Sequence, residues 1–565
     1  MNDATHATLG ERIRAAEATL HLPSAAPLVI IALAFGLRAI MAARISVIFE
    51  DGPFFIEIAR NFDAGDWASA LSHPYHPLYS ALVAAVHSLG GSWESAALGV
   101  SVVGGTVAVA ALYVFLRDAF DENTAACGAF LFAISPYAVR FTADVQSEGV
   151  YLAFFLSGLA LLWRGFREAR ASMFFAAGVC VGLAYLTRPE GAGLVAIGVA
   201  MLFWAAVRQE LALAKALRSA FALVAGGMLI ATPYLATLAS NQGDVVLSGK
   251  KSLARTLGLV GESQGALGGG AQFGIAFVVV ALILAVWVYR SRRIGGGITA
   301  RKNGISLAVC LVLLVVWQAL WPVELKEFMS VVISTLRPEV AVLLAIGLAI
   351  ASSRGARPRD SFIAAMVTCY VVLLVGLLFN YGYLSRRHVL PLVPLALGYA
   401  GMGGVWLGCW VAQARNRSSA PVGAVIGLAV LLLAIAAPKA LHDHREDVLA
   451  QRLAAEWLRD QQFEAGRVAS NKRRTGFYAE RSWRPLTDGA SLVPLAKLAR
   501  RDVRYIIADD RVLGDRGGIH ATTDMALREL YRVTTGGRTA MVFELSSTRA
   551  NAANISVGPP GDKTR

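Results

Sequence analysis

From residue 28 to residue 437 the chain alternates between long apolar blocks and short polar segments. Phe273 to Tyr289 (FGIAFVVVALILAVWVY) and Ile305 to Trp321 (ISLAVCLVLLVVWQALW) show the pattern plainly. Each can cross roughly 30 Å of hydrocarbon, and neither carries Asp, Glu, Lys or Arg. Such a run has no polar face to offer water, so it predicts a spanning helix and not a surface one. The spacing predicts about thirteen spans, near 28–48, 97–116, 124–139, 148–163, 172–187, 191–207, 219–238, 272–289, 304–321, 336–352, 361–379, 388–411 and 421–437. The expected fold class is therefore mainly α: a polytopic transmembrane helical bundle over residues 28–438, preceded by a cytoplasmic N-terminal segment, 1–27.

Beyond Pro438 the period changes. An amphipathic helical pattern runs from Val448 to Gln461, and short strand-like runs follow at Arg467–Ser470, Tyr505–Ala508 and Ala540–Leu545. These predict a small soluble α/β domain over 439–546. Residues 547–565 hold few large apolar side chains and read as a disordered tail.

Charge assigns the sides. With about thirteen alternating spans, one set of short loops is plainly basic, for example Arg164, Arg167 and Arg170, or Arg354, Arg357 and Arg359; Arg12 and Arg14 agree with it. That set reads as cytoplasmic, and an odd count of spans puts the C-terminal domain outside. The outer segments differ in character. They are a long first loop, 50–96, then short ones around Asp144, Thr187–Glu190, Glu324–Phe328 and Asn380–His388, and a longer one from Ala239 to Ala271. Carboxylates, histidines and prolines collect there, so the working face is expected to be the outer one.

Composition narrows the classes further. A hydrophobic content of 56%, 16% charged residues and a mean hydropathy of +0.54 exclude an ordinary soluble protein. The formal charge of +14 follows from bilayer topology and needs no nucleic acid. The five cysteines all fall in apolar blocks without CxxC or Cys/His spacing, so neither a disulfide nor a structural zinc is expected. About 25 polar or mixed residues precede the first apolar block and no cleavage pattern follows it, so an uncleaved first span is expected, and richness in Ala, Arg and Gly suggests a bacterial plasma membrane.

Several polar residues at the ends of spans are candidates for chemistry. Glu50 and Asp51 directly follow the first span, where a carboxylate can act as a general base or hold a cation; the competing reading is that they only mark the end of the span. Phe54, Phe55, Ile58, Ala59 and Phe62 then recur at helical spacing, predicting an amphipathic helix in the membrane interface. His73 and His76 are three apart, but Pro74 and Pro77 disfavour a helical zinc pair and favour positioning of substrate or loop.

Farther on, Asp144 lies in a short outer loop and Glu148 at the mouth of the next span, where a carboxylate needs a wet cavity or a cationic partner. Arg188 and Glu190 flank Pro189 in a tight turn. They either bind phosphate through the guanidinium or simply close the turn as an ion pair. Lys250, Lys251, Arg386, Arg387 and His388 make outer segments basic against the charge rule, which an anionic substrate or lipid headgroups would explain.

In this order the segments FEDGPFFIEIARNFDAGDW, HPLYSALVA, SEGVYLAFFL, LTRPEG and RRHVLPLVPL resemble the GT-C superfamily of membrane glycosyltransferases. The likeness is greatest to the branch holding protein O-mannosyltransferases and the lipid A aminoarabinose transferase. The resemblance implies a sugar donor linked to polyprenyl phosphate and an acceptor hydroxyl outside the cytoplasm, in a lipid, a polysaccharide or a protein. It implies inverting displacement with Asp51 or Glu50 as base, Glu148 or Asp144 orienting the acceptor or a possible divalent cation, and the basic residues holding the lipid phosphate. The family usually shows Asp-Glu or a single Asp after the first span, so Glu50-Asp51 is a departure from it. A polytopic transporter or lipid flippase is the alternative, and a scaffold with a binding domain a third. Against transport, the middles of the spans are nearly free of ionisable groups.

Overall fold

The computed structural model describes residues 9–242, 322–355, 357–381, 383–415, 421–488, 491–514 and 525–547. The spans expected near 272–289 and 304–321, Lys250, Lys251, nearly all of the Ala239–Ala271 loop and all but the first residue of the tail lie outside the described residues. The chain divides into two compact units. One comprises Met1–Ala43 and Ile58–Leu441, the other Arg44–Glu57 and His442–Arg565.

The larger unit is helical. Among the described residues eight helices are long and apolar enough to cross a membrane, and two bent pairs of helices pass the same test together. The expected span near 124–139 is not straight: Glu122–Ile134 and Pro136–Ala143 meet at 60°. The helix expected near 336–352 is preceded by another where a loop around Glu324–Phe328 was expected, and the two meet at 90°. Both breaks stand before a proline. Proline disfavours the α conformation in its predecessor, and Ser135 accordingly has ψ 119° while Arg337 has φ 72° and ψ 143°.

A buried arginine deals with one consequence. Breaking a helix frees carbonyls in an apolar interior, where unpaired polar groups are costly. Arg38, fully buried in Ala26–Arg44, donates through Nη1 to Ala133 O at 3.3 Å and Ala34 O at 3.1 Å, and through Nε to Thr142 Oγ1 at 2.8 Å. It thereby ties the first helix to both sides of the break. Close approach of the helices Trp93–Ala119 and Glu148–Glu168 depends on glycine: a Cβ on Gly149 would come within 2.6 Å of Ser101 O, and one on Gly104 within 2.7 Å of Val150 N.

The first loop, 50–96, is also structured, as Gly52–Asp63, Trp67–Ser72 and Leu78–His87 are helices. The helix expected in the membrane interface instead has Phe55, Ile58 and Ala59 buried in protein. A 3.6-residue period says that one face leaves water, and it does not say whether lipid or protein receives that face.

In the smaller unit the strands are β1 (Arg467–Ser470), β2 (Trp483–Pro485), β3 (Thr487–Asp488), β4 (Ser491–Leu492), β5 (Val503–Asp509), β6 (Met525–Thr535) and β7 (Arg538–Ser547). Five form one sheet in the order β2-β1-β5-β7-β6, with β1 parallel to β2 and β5, and β7 antiparallel to β5 and β6. Gly536 and Gly537, both at positive φ, make the two-residue turn between β6 and β7, a conformation that β-carbons disfavour. The amphipathic helix Leu449–Asp460 buries Ala450, Ala454, Ala455 and Leu458. Residues 44–57 are sewn into this unit. Ser46 N–H donates to Asp443 Oδ2 at 2.9 Å, Ile48 N–H to the Tyr478 hydroxyl at 2.9 Å, and Arg452 Nη1 to Ser46 O at 2.8 Å.

Candidate active site

Two groups of chemically suggestive residues emerge, one in each unit. In the helical unit the centre is Glu148, the first residue of its helix and 3% exposed. A carboxylate so placed gains from the positive helix end but still requires cationic partners. Arg188 Nη1 lies 2.6 Å and Arg387 Nε 3.2 Å from Glu148 Oε1. Arg188 also grips Glu190, with Nη2 3.0 Å from Oε1 and Nε 3.4 Å from Oε2. Local sequence explains that grip: Arg188 precedes Pro189 and is extended (φ −153°, ψ 138°), and Pro189 opens a single 3-10 turn that brings Glu190 back beside it.

The network continues through Gln146. Its Oε1 accepts from Arg387 Nη1 at 3.4 Å, and its Nε2 donates to Asp144 Oδ2 at 3.3 Å. Asp144, 1% exposed, also accepts from the Val145 N–H at 2.7 Å. The backbone of this loop is held from the neighbouring helices, since Ser101 Oγ donates to Gln146 O at 3.1 Å and lies 2.9 Å from the buried Tyr79 hydroxyl. Asp144, Glu148, Arg188, Glu190 and Arg387 are thus brought into one chain of contacts. Gln146, Ser101 and Tyr79 were not singled out in the sequence; the polar run DVQSEG contains Gln146 and the segment HPLYSALVA contains Tyr79, whereas Ser101 lies inside an apolar block.

Among these groups the Arg387 side chain is the most open, at 21% exposure, while that of Glu148 is 4% exposed. Chemically, the cluster is a buried ion-pair network in which Glu148 is shared by two guanidinium groups and Glu190 holds one of them. Two guanidinium groups are held in place by carboxylates. His388 accepts the Ser385 N–H at Nδ1, 3.4 Å, and its carbonyl accepts from Tyr370 Oη at 3.0 Å. Arg386 does not join this cluster, and turns instead to Ser334 Oγ at 3.2 Å.

The smaller unit holds the acidic pair. Lys472 Nζ lies 2.9 and 3.2 Å from the two Glu50 carboxylate oxygens, with both side chains roughly half exposed. Asp51 starts the next helix through its carbonyl, which accepts from Phe54 N at 3.1 Å and Phe55 N at 3.4 Å. One turn on, Arg473 Nη2 lies 2.6 Å from Glu57 Oε2, with its guanidinium 4.0 Å from the Phe54 ring centroid.

The histidines are not side by side as ligands. His73 stacks on Tyr75 and accepts its N–H at Nδ1, 3.3 Å, while His76 is buried against the rings of Tyr185 and Tyr234 at 5.0 and 5.2 Å. Among the described residues no group of three or more His, Cys, Asp or Glu could hold a metal ion.

Comparison with known proteins adds the following. Residues 72–238 match the family model described as dolichyl-phosphate-mannose-protein mannosyltransferase. No curated protein matches the chain. Among solved structures it is similar to the apo oligosaccharyltransferase of Archaeoglobus fulgidus, at 16% identity and TM-score 0.55 over 86% of this chain and 70% of that one. It is also similar to the same organism's oligosaccharyltransferase AglB in complex with an inhibitory peptide and a dolichol-phosphate, at 14% and 0.53 over 86% and 69%. A third likeness is to ArnT from Cupriavidus metallidurans bound to undecaprenyl phosphate, at 12% and 0.51 over 91% and 97%. These identities speak to fold alone: the chain shares its fold with the oligosaccharyltransferase and ArnT structures. The chain is a multi-pass membrane protein.

Proposed function

We propose that this chain is an integral membrane glycosyltransferase that moves a sugar from a polyprenyl-phosphate-linked donor to an acceptor hydroxyl on the outer face of the plasma membrane. The observation that carries the reading is the arginine pair, Arg188 and Arg387, held on Glu148 in a GT-C fold. Such an anchored pair suits a phosphate that gains charge as its bond to the sugar breaks. The fold likeness to a structure bound to undecaprenyl phosphate and to one bound to a dolichol-phosphate supports the same donor class.

The chemistry balances without a nucleotide. A carboxylate takes the acceptor hydroxyl proton while the oxygen attacks the anomeric carbon, and the sugar–phosphate C–O bond breaks with inversion. The electron pair leaves on polyprenyl phosphate, whose charge the arginines receive. Asp51 is the base in this reading, with Glu50, whose two oxygens lie on Lys472, as the alternative. Glu148 and Glu190 are then positioning residues for the guanidinium groups. The acceptor is a lipid, polysaccharide or protein hydroxyl, and a divalent cation at the acidic pair is the rival use of Asp51.

The test is transfer of radiolabelled sugar from polyprenyl-phosphate donors to a membrane and cell-envelope extract, comparing wild type with Asp51→Asn and Glu50→Gln. The expected result is loss of about 10²–10⁴-fold in rate for Asp51→Asn, with folding unchanged by circular dichroism, and a much smaller loss for Glu50→Gln. Full activity of Asp51→Asn would remove it as base. The two helices broken at Pro136 and Pro338 are features that transporters also use, so a flippase is the second reading. Translocation of labelled lipid in vesicles without any sugar transfer would favour it.

A further inference from the structure

Arg386 and Arg387 are adjacent in sequence, but their side chains serve different places. Arg387 joins Glu148 and Gln146, whereas the Arg386 guanidinium lies 4.9 Å from the ring centroid of Tyr137. Lys439, in the last turn of Pro421–Ala440, brings its ammonium to 5.0 Å from the same centroid. Tyr137 is 6% exposed, and both cations are exposed. Among the described residues neither cation is ion-paired with a carboxylate. Arg337, which shares a small cavity wall with Pro136 and Ala436, is by contrast matched by Glu339 at 2.6 Å.

Two like charges gathered at one ring leave a net positive place, which cation–π attraction to a neutral ring does not neutralise. The place also adjoins the positive end of the helix Pro136–Ala143. An anion is attracted both by the two cations and by the helix end. Its character follows from the surroundings: the helices that supply Ser334 and Lys439 expose Ile333 (56%), Leu431 (56%) and Ile435 (47%), the kind of surface that faces acyl chains. We propose that Arg386, Lys439 and Tyr137 form an anion site, separate from the Glu148 cluster, for the phosphate of a membrane lipid. The inference rests on the chain being a membrane protein and stands whether or not the transferase reading does.

The phosphate comes either from an anionic phospholipid or from a polyprenyl phosphate, and two arms of one experiment separate these sources. Full-length protein is reconstituted in nanodiscs of phosphatidylcholine doped with phosphatidylglycerol or, separately, with undecaprenyl phosphate. It is then re-extracted, and the retained lipid is quantified by mass spectrometry. Two surface cations at about 1 kcal/mol each imply about 30-fold weaker retention in the double variant Arg386→Gln/Lys439→Gln. Arg386→Lys should keep most of it, because charge is conserved. Loss confined to phosphatidylglycerol identifies a phospholipid headgroup, and loss confined to undecaprenyl phosphate identifies the polyprenyl lipid. Equal retention of both lipids by wild type and double variant overturns the site. If the double variant fails to fold, each single variant still has to lose about fivefold for the proposal to survive. Sugar transfer is not part of the readout, so its failure leaves this result legible.

Discussion

The Glu148 network in the helical unit and the Glu50–Lys472 pair in the smaller unit are built from the same chemistry in opposite surroundings. Glu148 has 4% of its side chain exposed and faces two arginines, whereas Glu50 and Lys472 are 47% and 38% exposed. Water screens the second pair and holds it to about 0–1 kcal/mol. In the first, each ion has already given up solvation, so the cost of losing a partner is set by the charge left behind. Buried groups of this kind are fixed geometry, while the exposed pair can open at little cost. In the proposed reaction, a receptor for a charged leaving group would use the first property, and a carboxylate beside the proposed base would tolerate the second.

The largest expected effect probes the buried side. Glu148→Gln should destabilise the detergent-solubilised protein by about 3–5 kcal/mol, because Arg188 and Arg387 lose their shared counter-ion. Adding Arg387→Gln should recover part of that, which a double-mutant cycle on thermal unfolding would read as coupling. If Glu148→Gln melts like wild type, the network is as well hydrated as the Glu50 pair and the contrast fails.

How these two places read in the sequence also differs. Glu148, Arg188, Glu190 and Arg387 stood out because ionisable groups at the ends of apolar blocks need a reason. Their assembly was not legible, since Arg387 reaches Gln146 across 241 residues and neutral Gln146 and Ser101 carry no charge anomaly. Among the described residues the long apolar helices lie where the sequence placed them, eight to ten of about thirteen expected spans, yet the bends at Ser135 and Arg337 were not read: proline was visible, but the angle depends on tertiary packing. The attachment of 44–57 to the smaller unit is nonlocal, Ser46 meeting Asp443 at a separation of 397 residues. Strand β6, MALRELYRVTT, was missed because its alternation is weak, although the Gly536-Gly537 pair was a turn signal.

Between the two extremes lies Asp443, 7% exposed and hydrogen-bonded without close ion pairing in its cradle of backbone N–H groups. Burial opposes its ionisation, but hydrogen bonds from Ser46 and then from the Arg445 N–H hold its carboxyl below the ordinary aspartate range. A depressed value means that the native state favours the charged form. The stability it contributes is therefore complete above the unfolded value near 3.9 and is lost as pH falls through the lower folded value. Asp443→Asn should cost about 1–2 kcal/mol at neutral pH and flatten the acid limb of the unfolding curve. An unchanged acid limb would show that residues 44–57 are held by other contacts.

The smallest effect sharpens the comparison most. Lys472→Ala removes the cation from Glu50 but leaves both charges of the surrounding pair Arg473–Glu57 in place. Because the Lys472–Glu50 pair is half in water, its loss should change unfolding by no more than about 1 kcal/mol, and that difference should shrink further in high salt. Glu50 then loses its hydrogen-bonded cation and keeps the electrostatic influence of Arg474. If Asp51 is the base, transfer should survive in Lys472→Ala and still vanish when Asp51→Asn is added. If Glu50 is the base, freeing it from Lys472 lets transfer persist in the Lys472→Ala/Asp51→Asn double variant. Measuring initial rates for these two variants therefore decides between adjacent carboxylates that stability measurements cannot tell apart.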